Sequence, residues 1–258
     1  GGWEPLAPIP DDAELLISHK QVDDYDTCPL KYRYVSILRV PIRRHHTVVY
    51  GSTIHRVVEH YLKRRVAGNY TTLEDLLGVY DREWENQGFL TWEHQEARKA
   101  AGRVALTRFW HQEEAEGMKP SFIEKEFAFS IGNNRVRGRI DRIDEELLGA
   151  VVIDYKTSEV RKQKDADTNV RKNLQLKMYS LAWKEMTGTL PQRVELRYLE
   201  TNVVGRHEPT EDDLKEAADA VKAAAAGIRA RRFEAKPSYG ACRWCAYTQI
   251  CPFTATRE

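Results

Sequence analysis

Val151-Val152-Ile153-Asp154-Tyr155-Lys156 is the stretch whose reading decides the fold. Consecutive β-branched residues mark a strand that fits a packed sheet, and strand side chains alternate between faces. Asp154 and Lys156 therefore point one way, and Ile153 and Tyr155 the other. A lone Asp-x-Lys at a strand end is most often a surface ion pair of small worth. The preceding segment, Arg137-Gly138-Arg139-Ile140-Asp141, alters that reading. Asp141 lies thirteen residues before Asp154, a spacing that lets a tight connection between two strands bring both aspartates together. Two convergent carboxylates make an oxygen-rich site suited to Mg²⁺ or Mn²⁺. A lysine beside them can orient the attacking water or help deprotonate it, an arrangement suited to phosphodiester hydrolysis.

Working outward, three strands are expected at 122–130, 135–143 and 150–155, the first two joined by Gly132-Asn133-Asn134. Glu124 and Glu126 share a face of the first strand, and either is an alternate acidic neighbour of the site. A helix is expected from about Asn173 to Met186, packing Leu174, Met178 and Leu181 on the sheet. Gln175 and Tyr179, four apart, share one face of it. A strand at 193–200 follows, then an Ala-rich helix from Thr210 to about Ala230.

Upstream, Ser18 caps a short helix running to Cys28-Pro29. Gly51-Ser52-Thr53 opens another, with Ile54, Val57, Val58, Tyr61 and Leu62 as its buried stripe and His55 in its first turn, beside the stripe. Such a histidine is most often structural; as a ligand it would add one nitrogen to two carboxylates and favour Mn²⁺ over Mg²⁺. Residues 72–118 again read as helical, with Leu73, Leu76, Leu77, Tyr80 and Trp84 on one face. The expected organisation is a linker at 1–14 and one α/β domain at 15–258. That domain holds a helical insertion at about 70–118, a catalytic core at about 120–200, and a closing helix and cysteine cluster at 210–258.

The four cysteines are Cys28 and the trio Cys242-x-x-Cys245-x5-Cys251. Four thiols, one of them at the far end of the chain, match the number a tetrathiolate centre needs. On the residues alone, iron–sulfur and zinc stand about equal. Hydrophobic residues make up 41% and charged residues 31% of the 258, the pattern of a soluble globular chain with neither a membrane span nor a secretion signal. A cytoplasmic setting, where thiols stay reduced, is the expectation. The net charge of +1 does not by itself announce a nucleic-acid binder. Bases do gather at Arg39, Arg43, Arg44, His45 and His46, between Arg161 and Lys172, and at Arg229, Arg231 and Arg232. Each cluster suits either a solvated face or phosphate contact.

Taken in order, Gly51-Ser52-Thr53-Ile54-His55, Gly138-Arg139-Ile140-Asp141, Ile153-Asp154-Tyr155-Lys156 and Gln175-Leu176-x-x-Tyr179 resemble the RecB-like branch of the PD-(D/E)xK nucleases. The resemblance covers nearly the whole chain, and no named position departs from it. It implies a restriction-endonuclease-like core, a central mixed sheet flanked by helices. His55, Asp141, Asp154 and the Tyr155 backbone carbonyl would then bind the catalytic Mg²⁺ or Mn²⁺. Lys156 would handle the water, and Gln175 and Tyr179 would face DNA. It further implies that Cys28, Cys242, Cys245 and Cys251 hold a 4Fe–4S cluster as a clasp. Asp26-Thr27-Cys28-Pro29-Leu30-Lys31-Tyr32 looks like the nuclease domain at the C-terminus of UvrD/Rep-type helicases, near AddB and RecB.

The expected function is therefore a metal-dependent DNase of DNA repair or recombination, acting on single strands or on ends delivered by a helicase motor. The chain has no Gly-x-x-x-x-Gly-Lys-Ser/Thr phosphate loop, so that motor would lie elsewhere on a longer polypeptide or on a partner. The alternatives are a free-standing RecB-like nuclease of the CRISPR-adaptation type, a DNA-end-binding module that does not cut, and a zinc-stabilised interaction domain.

Overall fold

The computed structural model describes residues 7–42 and 44–256. Arg43 of the first basic cluster and the start of the expected linker lie outside the described residues. In chain order the elements are β1 (Leu15–Ile17), α1 (His19–Thr27), α2 (Pro29–Tyr32), a π-turn (Arg33–Ile37), α3 (His46–Val66), α4 (Leu73–Glu83) and α5 (Trp92–Glu116). Then come β2 (Phe122–Ile131), β3 (Asn134–Glu146), β4 (Gly149–Lys156), α6 (Gln163–Lys172) and α7 (Leu174–Thr187). The chain closes with β5 (Arg193–Tyr198), β6 (Val203–His207), α8 (Glu211–Arg229) and α9 (Tyr239–Cys242). Two compact units result, one of residues 1–42, 127–138 and 211–258, the other of 43–126 and 139–210. β2 and β3 contribute residues to both.

The larger unit is built on a mixed sheet flanked by helices. β3 pairs antiparallel with β4 from Arg142↔Ile153 to Glu146↔Gly149. β4 runs parallel to β5, and β6 returns antiparallel to β5. Val151, Ile153 and Tyr155 present one face of β4 to a core that also holds Ile54, Val57, Val58, Tyr61 and Leu62 of α3. Leu76 and Tyr80 of α4 and Leu106 and Phe109 of α5 complete it. Each such side chain contributes roughly 1.5–3 kcal/mol through removal from water.

The stripe of α3 lies where the periodicity puts it, but the helix begins at His46, not Gly51. His45 is its N-cap, its Nδ1 accepting from the Thr47 N–H. Gly51 sits inside the helix, where a Cβ would come 3.1 Å from Thr157 Oγ1. The glycine marks a close approach to the chain after β4, not a helix start. On α7, Leu176, Met178, Tyr179, Ala182 and Trp183 are buried, while Leu174 and Leu181 are half-buried. α6 and β6 were not foreseen. Ala166 and Val170 are the buried residues of α6, and Gly205 of β6 packs so closely that a Cβ there would come 2.3 Å from the Ala166 carbonyl oxygen.

In the smaller unit, Ser18 caps α1 in a reciprocal box with Gln21, whose Oε1 accepts from the Ser18 N–H at 3.0 Å. β1 pairs in parallel with the start of β3, Leu15↔Asn134 to Ile17↔Val136. The β2–β3 hairpin turns at Gly132, whose φ of +57° suits a residue without a Cβ. Arg229, at the end of α8, donates to the carbonyls of Pro10 and Asn133, and Ile9 N–H donates to the Arg229 carbonyl at 2.9 Å. The described part of the 1–14 lead-in is thus tied to α8 by a backbone hydrogen bond and by the Arg229 side chain. No helix among the described residues is long and apolar enough to cross a membrane.

Candidate active site

All seven non-cysteine candidates fall in the larger unit. One step past the paired residues Arg142 and Ile153 come Asp141 and Asp154, which share a face by the alternation of β3 and β4. Asp154 is buried, and Lys156 Nζ lies 2.7 Å from its Oδ2. Yet that oxygen receives no well-directed hydrogen bond, so the contact is an ion pair with acceptor capacity to spare. Asp141 Oδ2 accepts from the Tyr155 N–H at 3.4 Å and lies 3.6 Å from His55 Nδ1. Lys156 Nζ also donates to Gln175 Oε1 at 3.0 Å, and Gln175 Nε2 donates to Tyr179 Oη at 2.7 Å. Lys156 links Asp154 to the pair on α7.

Burial, then the Asp154 carboxylate, then Glu124 push the Asp141 carboxyl up to about 8, against the Tyr155 N–H and Lys156. Burial lowers the His55 imidazole, although Asp154 and the Tyr155 backbone oppose it. The Tyr179 hydroxyl is raised by burial and by the Asp154 and Asp141 charges.

Glu124 joins the site and Glu126 does not. Glu124 has a φ of +54°, uncommon for a residue with a Cβ, which breaks the regular alternation of β2. Its side chain is half-sequestered and ion-paired with Arg139, and burial followed by Glu59 raises its carboxyl, with Asp154 adding. Glu126 faces solvent. The sequence signalled Glu124 only as one of two acids on a strand face.

Among the described residues, no group of three or more His, Cys, Asp or Glu side chains stands in metal-binding geometry. The donor set nevertheless fits a divalent cation. Two carboxylates crowd one another, and one buried oxygen lacks a proper donor, a lack that a hard cation meets with oxygen ligands. A cation bound there would supply Lewis acidity toward a phosphate oxygen.

The other face of the same strands carries charges that the sequence did not flag. Arg142, fully buried, donates to Asp144, to Glu113 Oε1 at 2.6 Å and to Tyr155 Oη at 3.0 Å. Asp141 and Asp154 are thus braced from behind through their immediate neighbours, Arg142 and Tyr155.

The four cysteines lie in the smaller unit and line one cavity together with Tyr34 and Lys31. Cys28 ends α1, and its Sγ accepts from the Lys236 N–H at 3.4 Å. The Cys245 thiol is raised by burial and by the nearby Cys28 and Cys251 sulfurs. The Cys242 thiol is lowered, chiefly by a hydrogen bond from the Ala255 backbone. The four thiols thus line one cavity although Cys28 and Cys242 are 214 residues apart in sequence.

In structure, the chain is similar to a protein from Eubacterium rectale whose name assigns it provisionally to the exonucleases. The TM-score is 0.52 at 11% identity, over 87% of this chain and 84% of that one, a likeness of fold. Weaker likenesses, to the protein SSO0001 (TM-score 0.37, 15% identity, 90% of this chain and 93% of that one) and to VC1899 from Vibrio cholerae (0.25, 13%, 84% and 57%), carry no argument. A search among curated proteins finds no match. Residues 16–252 match the PD-(D/E)XK nuclease superfamily, spanning both aspartates, Lys156 and all four cysteines. With nearly the whole chain matched and the acidic pair meeting on adjacent strands, the chain belongs to the PD-(D/E)XK nuclease superfamily.

Proposed function

We propose that the chain is a Mg²⁺- or Mn²⁺-dependent deoxyribonuclease of the RecB-like branch, carrying a 4Fe–4S cluster and working with a helicase motor in DNA repair or recombination. One observation carries the nuclease reading: Asp141 and Asp154 share a strand face at a site where burial and mutual repulsion call for a cation, with the Lys156 ammonium beside Asp154. Asp141, Asp154, the Tyr155 carbonyl and His55 would hold the cation. Lys156, steadied by Gln175, is placed to orient the attacking water and to offset charge building on the phosphate. Tyr179, itself buried, fixes Gln175 in turn, so Tyr179 would act on substrate position through Gln175 and Lys156, and direct contact with DNA would fall to Gln175.

The cluster reading is supported by donor chemistry: four cysteines and no histidine among the metal-ligating side chains that line the cavity. The helicase association rests on the resemblance around Cys28. The test of the nuclease reading is a Mn²⁺ assay on labelled DNA, wild type against Asp154→Ala. Wild type should yield short products and the variant at least ~100-fold less. Equal products from the two would overturn the reading.

A further inference from the structure

We propose that Tyr239, Arg243 and Trp244 form a stacking platform for the bases of an unpaired DNA strand. Single exposed apolar side chains are ordinary on a protein surface. Here Tyr239 (65% exposed), Trp244 (77%), Ile250 (57%) and Phe253 (58%) all fall within fifteen residues. The Arg243 guanidinium lies over both neighbouring rings, 5.6 Å from the Tyr239 centroid and 4.8 Å from the Trp244 centroid. A planar cation and two open ring faces thus lie side by side on the surface.

The segment beneath is held rigidly. Cys242 N–H donates to the Ser238 carbonyl at 2.8 Å, Arg243 N–H to Tyr239 at 3.1 Å and Cys251 N–H to Tyr247 at 2.8 Å. Buried Tyr247 packs against Tyr34 and donates to the Val40 carbonyl at 3.2 Å. Rings held open on a fixed backbone lose little entropy when a partner stacks on them.

Charge selects the partner. Residues 229–256 hold five bases (Arg229, Arg231, Arg232, Lys236 and Arg243) against one acid, Glu234, in a chain whose net charge is only +1. Arg232, Lys236 and Arg243 are exposed. Exposed rings beside exposed cations match a polyanion with accessible base faces. A duplex keeps those faces stacked inside, whereas a single strand offers them. The choice of DNA over RNA rests on the nuclease reading; the stacking does not.

The test is fluorescence anisotropy of a labelled 20-mer of thymidine with the full chain in EDTA, which prevents cutting. Trp244→Ala should weaken binding roughly 5- to 100-fold, Tyr239→Ala similarly, and Trp244→Phe little, in line with the worth of stacking one base. Affinity for a blunt duplex should hardly change. Because these side chains are exposed, melting temperatures should stay at the wild-type value. Mn²⁺-dependent hydrolysis of bis(p-nitrophenyl) phosphate should also be unaltered in all three variants. Unchanged affinity for the 20-mer in both alanine variants would overturn the platform. So would a wild-type dimer that Trp244→Ala converts to monomer without loss of strand binding, because the face would then be covered by a second copy. A wild type that hydrolyses no phosphodiester yet loses strand binding on Trp244→Ala supports the platform and removes the nuclease reading alone.

Discussion

Asp141 shows what a single residue gives up for a site. Its folded-state pKa of about 8 stands well above the ordinary carboxylate value of 3.8, because burial, Asp154 and Glu124 all disfavour its charge. A carboxyl raised on folding binds more protons in the folded state than in the unfolded one. It therefore removes stability as pH climbs from about 4 toward 8, by at most ~1.4 kcal/mol per pH unit. Metal-free protein should thus melt progressively lower between pH 5 and pH 8, and Asp141→Asn should flatten that slope while nearly matching wild type at pH 5. Added Mn²⁺ should raise the wild-type melting temperature and leave that of the variant unmoved. Parallel pH curves for the two proteins in EDTA would show that Asp141 carries no such burden. The juxtaposition was legible: the spacing of Asp141, Asp154 and Lys156 predicted that they would share one face, and the register of β3 and β4 brings them there. Glu124 was not, because its left-handed backbone breaks the alternation on which strand reading depends.

Among the elements, those with a strong apolar period were legible and those held by charge or brevity were not. α3 announced its stripe, and β4 its core face. α6 lacks an apolar stripe, burying Ala166 and Val170, and β1 has three residues, too few for a period. The face of β3 behind the site was the most misleading. Nothing in the sequence singled out Arg142 and Asp144, yet both are buried in a network with Glu113 and Tyr155. Removing one partner of a buried ion pair leaves an uncompensated charge. Arg142→Ala should therefore cost about 3–5 kcal/mol in urea unfolding at pH 7, whereas Tyr155→Phe, losing one hydrogen bond, should cost about 1 kcal/mol. A loss under 1 kcal/mol for Arg142→Ala would mean that water enters and solvates Glu113 and Asp144. The core would then be looser than its packing indicates.

At the scale of the molecule, the smaller unit is assembled from the start, middle and end of the chain, residues 1–42, 127–138 and 211–258. Bringing Cys28 to Cys242 closes a loop of 214 residues, and the cost of that closure grows only as the logarithm of length. A cross-link there would remove entropy from the unfolded chain worth roughly 5 kcal/mol on the disulfide scale. If a 4Fe–4S cluster is that cross-link, anaerobically purified protein should be brown, with broad absorbance near ~400 nm and about four irons per chain. Cys28→Ala should then lose both colour and thermal stability. The informative comparison is with wild type stripped of its metal. Should the clasp act only by joining the ends, stripped wild type and Cys28→Ala should melt together, several degrees below the intact protein. A stripped protein that melts like the intact one would leave α8, through Arg229 and its bonds to residues 9–10 and 133–134, as the element that holds the ends. Colourless protein with one zinc per chain would keep the clasp and change its metal. A Cys28→Ala chain that retained both its metal and its melting temperature would remove the clasp altogether.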